Sequence, residues 1–217
     1  MAKIKQGILG GFSGKVANVV GTSWKGRAVM KSQPLSVSNP RTEAQQEQRG
    51  KFSDIAKLAS SVLTQFVQPV ENPISGNVSG YNLFCKDNKG AFNAVGVIQR
   101  ASFVCGGGKL ENLPTVAASP AERDTSVDVT WTNPAGTSDI RKTDKVYMAL
   151  FTEKGELLGT SSGTVTRNSQ SATIYLDDED AMPDSGKNIY LLYACVAADG
   201  RDVSVKTAAV GFVVSEP

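Results

Sequence analysis

Histidine does not occur in this sequence of 217 residues, and that absence removes imidazole from every catalytic or metal-binding arrangement the chain could build from its own side chains. A Ser-His-Asp triad, a Cys-His dyad and the histidine zinc sites are all excluded. Chemistry would fall to carboxylates, lysine, tyrosine or cysteine. The cysteines, Cys85, Cys105 and Cys195, are odd in number and far apart. Such a set makes neither a disulfide framework nor the paired spacing of a metal knuckle, and it reads as buried free thiols. The densest acidic run, Asp177-Asp178-Glu179-Asp180 with Asp184 beyond it, offers the oxygens a hard cation prefers. Its spacing is not that of an EF-hand and no glycine interrupts it, so the run reads as a solvated turn between strands.

Two further motifs approach known chemistry and miss it. Gly11-Phe12-Ser13-Gly14-Lys15 resembles a phosphate-binding loop, but Leu9 stands where the first glycine belongs and Val16 where a Ser or Thr should follow the lysine. Gly159-Thr160-Ser161-Ser162-Gly163 has the letters of a nucleophile elbow. That turn must join a strand to a helix and needs a histidine base, so the segment reads as a loop. No catalytic residue and no cofactor are expected, and the expectation is a protein that is not an enzyme.

The elements that hold these residues follow from periodicity. Val16 to Val20 and Trp24 to Met30 predict a β-hairpin reversing at Gly21-Thr22-Ser23. Asn39-Pro40-Arg41-Thr42-Glu43-Ala44-Gln45 is a helix start, with proline suited to the first turn and Thr42 and Gln45 at capping-box spacing. The helix is expected to reach about Gln68, lining Phe52, Ile55, Ala56, Ala59, Val62, Leu63 and Phe66 on one face, with Pro69 as its stop. A second helix is predicted from Ser79 to Asp87, with Tyr81, Phe84 and Cys85 inward, and a strand from Val95 to Val104. Gly106-Gly107-Gly108 reads as a linker.

Beyond the triplet, short alternating runs separated by turns suggest about seven strands in about 100 residues, the signature of a sandwich. Val127, Val129 and Trp131 would point inward on one strand. Val146 to Thr152, Glu156 to Thr160 and Ala172 to Leu176 follow, and Asn188 to Val196 and Val203 to Val214 close the domain. The fold class expected is thus an α+β domain over residues 1–108, hairpin plus long helix, followed by an all-β immunoglobulin-like or fibronectin-III-like sandwich over residues 109–217. The longest apolar run, Tyr190 to Ala198, is far below the ~20 residues of a membrane-spanning helix. The apolar stretch before Lys15 is too short for a signal peptide.

Charge divides as sharply as pattern. Residues 1–108 hold 13 Lys and Arg against 5 Asp and Glu, and residues 109–217 hold 10 against 16. Opposite lobes favour contacts in which the basic part of one copy meets the acidic part of the next. Trp24, Lys25, Arg27 and Arg41 are the contact residues expected on the basic side, and Asp177, Asp178, Glu179 and Asp180 on the acidic side. Direct DNA contact ranks below protein contact, because the basic residues lie on a hairpin and a loop with no established nucleic-acid-binding motif around them.

The stretch from Lys3 to Gly21, then Ser23-Trp24-Lys25-Gly26, then Asn39-Pro40-Arg41-Thr42-Glu43-Ala44-Gln45-Gln46 and Phe52, resembles an uncharacterised family of Bacteroides-type gut bacteria and their phages and prophages. The resemblance is carried by the first third of the chain; farther on only the sandwich character is shared. It implies a phage-associated origin, and with it a multi-copy structural protein of a virion, in a neck, tail or capsid-associated ring assembled in the host cytoplasm. Its partners would be copies of itself and portal, capsid or tail proteins, with no membrane. The alternative is a bacterial surface or secreted binding module with an immunoglobulin-like domain.

Overall fold

The computed structural model describes residues 3–4, 11–24, 27–36, 39, 41–120, 125–134, 136–161, 163–176, 183 and 186–214. The chain forms two compact units, residues 1–42 and residues 43–217. The division falls well before the glycine triplet at which the sequence suggests it.

In the first unit four antiparallel strands lie side by side in chain order: β1 (Lys3–Ile4), β2 (Phe12–Val16), β3 (Val19–Trp24) and β4 (Arg27–Ser32). The reversal between β2 and β3 is Ala17-Asn18, with Ala17 at φ 50°, as a tight two-residue connection requires. Gly21-Thr22-Ser23, the predicted reversal, instead lies inside β3. A Cβ on Gly21 would come within 2.6 Å of the Phe12 ring, so a turn-forming residue sits in mid-strand because an aromatic side chain lies across it.

The second unit begins with α1 (Glu43–Ser61), which buries Ile55, Leu58 and Ala59. Phe52, expected in the buried stripe, is 61% exposed, because the helix packs only from Ile55 onward. The long helix predicted to run to Gln68 is interrupted. A π-helical turn spans Leu63–Val67, in which the Val67 N–H donates to the Val62 carbonyl at 3.0 Å, and α2 (Gln68–Glu71) follows. Pro69 does not stop the helix; it occupies the first turn of α2, where a missing N–H forfeits no helical bond. The next helix, α3 (Gly80–Asp87), is capped as its sequence predicts, the Ser79 hydroxyl accepting from the Asn82 N–H at 3.3 Å. The strand expected over 95–104 contracts to β5 (Val104–Cys105), preceded by a 3₁₀ turn at Arg100–Ser102.

The remaining elements are β6 (Ala117–Pro120), β7 (Ser126–Thr130), α4 (Asp139–Lys142), β8 (Lys145–Thr152), β9 (Leu157–Thr160), β10 (Ser171–Tyr175), β11 (Asn188–Val196), β12 (Thr207–Ala208) and β13 (Val210–Val213). Three strands pair in the order β10-β7-β6 and four in the order β13-β11-β8-β9, all antiparallel. The single closing strand expected from Val203 to Val214 is split, since β12 leaves the larger sheet to pair with β5.

Alternation along β8 explains the architecture. Met148 and Leu150, with Leu191 and Tyr193 of β11, meet Val127, Val129, Trp131 and Ile174 in a core between the two sheets. Ala149 and Phe151, with Tyr190, Leu192 and Ala194, face the opposite way onto Ile55, Phe66, Phe84 and Phe103. Phe103 packs edge-to-face on Phe151, ring centroids 5.5 Å apart. The unit is therefore layered: helices, four-stranded sheet, three-stranded sheet. Its β content dominates, with helices on one side.

This layering corrects the expected boundary between residues 108 and 109. The helical segment before the glycine triplet and the sheet after it share one core, so neither half buries its apolar face alone. The triplet is a seam inside that body. Gly107 and Gly108 donate N–H bonds to the Ser204 carbonyl at 3.0 and 3.1 Å, and Gly106 donates to Glu71 Oε1 at 3.0 Å.

Candidate functional site

The first unit carries most of the expected basic contact residues. Trp24 pairs with Arg27 across β3 and β4. Arg41 lies between β4 and α1. Lys25 lies outside the described residues, as do Asp177, Asp178, Glu179 and Asp180.

Register sorts the side chains of this sheet by chemistry. Lys15 pairs with Val20 and Val20 with Lys31, which places both lysines on one face, and Arg27 falls on the same face of β4 by alternation. Every charge of β2, β3 and β4 is thereby on that side. The opposite face presents Val16 beside Val19, and Gly14, Gly21 and Met30 in a row across the strands, together with Phe12 and Ala28. This second face also carries Ser23 and Ser32, so it is uncharged, largely apolar and open. Val16 is 53% and Met30 71% exposed, and no apolar side chain of the first unit, among the described residues, is buried. Its composition is equally one-sided: residues 1–42 contain seven of the 23 Lys and Arg and none of the 21 Asp and Glu. Residues 43–217 hold 16 basic and 21 acidic residues, so the charge boundary coincides with the structural one.

The ionisable groups inside the second unit hold layers together. All three cysteines are buried and unpaired. Burial pushes the Cys195 thiol up to about 12 against the pull of Arg167, and pushes Cys105 well above the usual thiol range while its Sγ–H donates to the Tyr193 carbonyl at 3.1 Å. Thiols held protonated in this way are poor nucleophiles. Asp144 and Arg167 form a buried ion pair at 3.4 Å, in which burial raises the Asp144 carboxyl against the opposing charges of Arg167 and Arg141. The Arg167 carbonyl accepts the Trp131 indole N–H at 3.1 Å, and its guanidinium donates to the Glu111 carbonyl. Glu71 is raised to about 7 by burial, opposed by the Gly106 N–H. None of Glu71, Asp144 and Arg167 stands out in the sequence, because their partners are remote along the chain and no local spacing links them. Among the described residues no group of three or more Cys, Asp or Glu could hold a metal ion, and no helix is long and apolar enough to cross a membrane.

A family model described as a family of unknown function (DUF6266) matches residues 11–209. The chain belongs to this family. The match to DUF6266 runs from the first-unit sheet through the layered body and covers both sides of the glycine triplet. No curated protein matches the chain significantly. Among solved structures, the chain is similar to the adhesin domain of Epf from Streptococcus pyogenes, at 18% identity and a TM-score of 0.34 over 50% of this chain and 33% of that one. The aligned region thus spans about a third of the length of that chain.

Proposed function

We propose that this DUF6266 protein is a non-enzymatic structural protein that acts through subunit contacts, as a multi-copy component of a neck, tail or capsid-associated ring of a bacteriophage particle. The observation that carries the reading is the first-unit sheet, with its charges on one face and an open, largely apolar face on the other. Three or more strands become stable when a hydrophobic face is covered, and among the described residues this sheet buries none of its own apolar side chains, so a partner surface would complete it. The acid-free charge of that unit suits the acid-rich body of the next copy. Such head-to-tail contacts close into rings when the rotation between copies permits. The partners are other copies of the chain and neighbouring portal, capsid or tail proteins.

The finer fold assignment belongs to the same proposal. Three strands in the order β10-β7-β6 packed on four in the order β13-β11-β8-β9 suit a fibronectin-III-like sandwich, here with a helical layer on its larger sheet. Modules of this kind serve as spacers and docking elements.

Mass spectrometry of purified phage particles against whole-cell lysate tests the assignment. The expected outcome is enrichment in particles; recovery only from the cell envelope would overturn it in favour of a surface binding module. Lys15→Glu with Lys31→Glu is expected to shift the sedimentation profile of the full chain towards monomer at low salt.

A further inference from the structure

A groove of about 880 Å³ runs along the second unit between the π-helical turn and the strands. Thr64 and Gln65 reach it from the turn, Gln68 from α2, Tyr147 from β8, Thr160 from β9 and Tyr175 from β10. Its chemistry is unusual for this chain, one-fifth of whose residues are charged, because among the described residues no Lys, Arg, Asp or Glu lines it.

Three observations converge on a ligand. First, Tyr175 is 72% exposed and Tyr147 half-buried, so aromatic surface is held open to solvent at the groove. Second, the side chains of Thr64, Gln65, Gln68, Thr160, Tyr147 and Tyr175 make no hydrogen bond with another described residue, which leaves hydroxyls and amides, donors and acceptors both, available in one place. Third, the turn that supplies Thr64 and Gln65 is π-helical, a departure from α geometry that recurs at functional sites. It keeps Phe66 and Val67 in the core while Thr64, Gln65 and Gln68 stay outside.

The ligand class follows from the lining. A nucleic acid strand needs cations along its phosphates, and among the described residues this groove has none. An amphipathic helix needs an apolar trench, whereas hydroxyl and amide groups share the lining with the rings here. A neutral sugar matches both features, its C–H face lying on aromatic rings and its hydroxyls pairing with side-chain amides. We propose that this groove binds a neutral carbohydrate, with Tyr175 and Tyr147 as ring platforms and Gln65 and Gln68 holding its hydroxyls. The site does not depend on where the protein is assembled, and its described lining residues all belong to the second unit, whereas the assembly reading rests on the first-unit sheet.

The test is a titration of the full chain, followed by NMR and calorimetry, with neutral gluco-, galacto-, manno- and N-acetylglucosamine oligosaccharides. At least one is expected to bind with a Kd on the order of 0.1–1 mM, shifting resonances of the groove residues. Tyr175→Ala is expected to weaken that binding about tenfold and Gln65→Ala several-fold. Both residues are exposed, so the unfolding midpoint is expected to stay unchanged. Affinity is expected to hold between about 50 and about 500 mM salt, since no charge is engaged. The proposal is overturned if none of the oligosaccharides binds, if both variants bind as the wild type does, or if affinity falls steeply with salt.

Discussion

Glu71 places one carboxylate oxygen on the Gly106 N–H and leaves the other, Oε2, with no hydrogen-bond partner among the described residues. Its pKa of about 7, raised by burial from 4.5, means that the folded chain holds the proton more tightly than the unfolded chain. The stabilisation is therefore complete below the unfolded value, declines as pH climbs towards 7, and is gone above it. Charging the side chain in place costs about 3 kcal/mol by the usual conversion of a pKa shift. Glu71→Gln removes the titration and keeps an oxygen for the Gly106 N–H. The variant is expected to gain stability over the wild type at about pH 8, with little or no gain near pH 5. Urea unfolding midpoints at the two pH values check this, and a gain of equal size at both would refute the assignment. The sequence does make the cysteines legible at this scale, since odd, scattered cysteines indicate buried thiols. It gives no warning of Glu71 or of the Asp144–Arg167 pair, whose environments are assembled from distant segments.

Among the elements, glycines decide where sequence pattern and structure part. Gly106-Gly107-Gly108 has the composition of a flexible joint, yet a Cβ on Gly108 would collide with the Val203 carbonyl oxygen in the seam between the chain's middle and its closing strands. Gly108→Ala is expected to cost roughly 1–3 kcal/mol through overpacking, whereas a free joint would tolerate it. Gly50, inside α1 with nothing within 4 Å of its Cβ position, supplies the contrast. Gly50→Ala is expected to stabilise by roughly 0.5–1 kcal/mol. Denaturant titration of the two variants beside the wild type measures both signs. Where alternation or capping is strong, the elements read directly from sequence: α3 from its Ser79 cap, β7 from Val127 and Val129, and β8 nearly to its ends. The π-helical turn has no comparable signature. Pro69 resembles a stop, but helical geometry resumes around it because the buried Phe66, Val67 and Val70 hold that segment on the sheet.

At the scale of the whole molecule, every buried apolar side chain among the described residues belongs to the 43–217 unit. Removing residues 1–42 is therefore expected to leave the unfolding transition of the body within about 0.5 kcal/mol of the full chain, the size of a surface change. Thermal and urea unfolding of the shortened protein check this. Separating 1–108 from 109–217 is expected to yield fragments without cooperative unfolding, because the cut runs through a shared core. Composition and local pattern established the lack of imidazole chemistry, the basic start, the amphipathic helices and the strand-rich second half, since each depends on residue type and near-neighbour spacing. The position of the domain boundary, the burial of β11 on both faces, the opposed faces of the first sheet and the tyrosine-lined groove came from folding. Each depends on which distant segments meet, and a chain's local preferences do not encode that pairing in any short window.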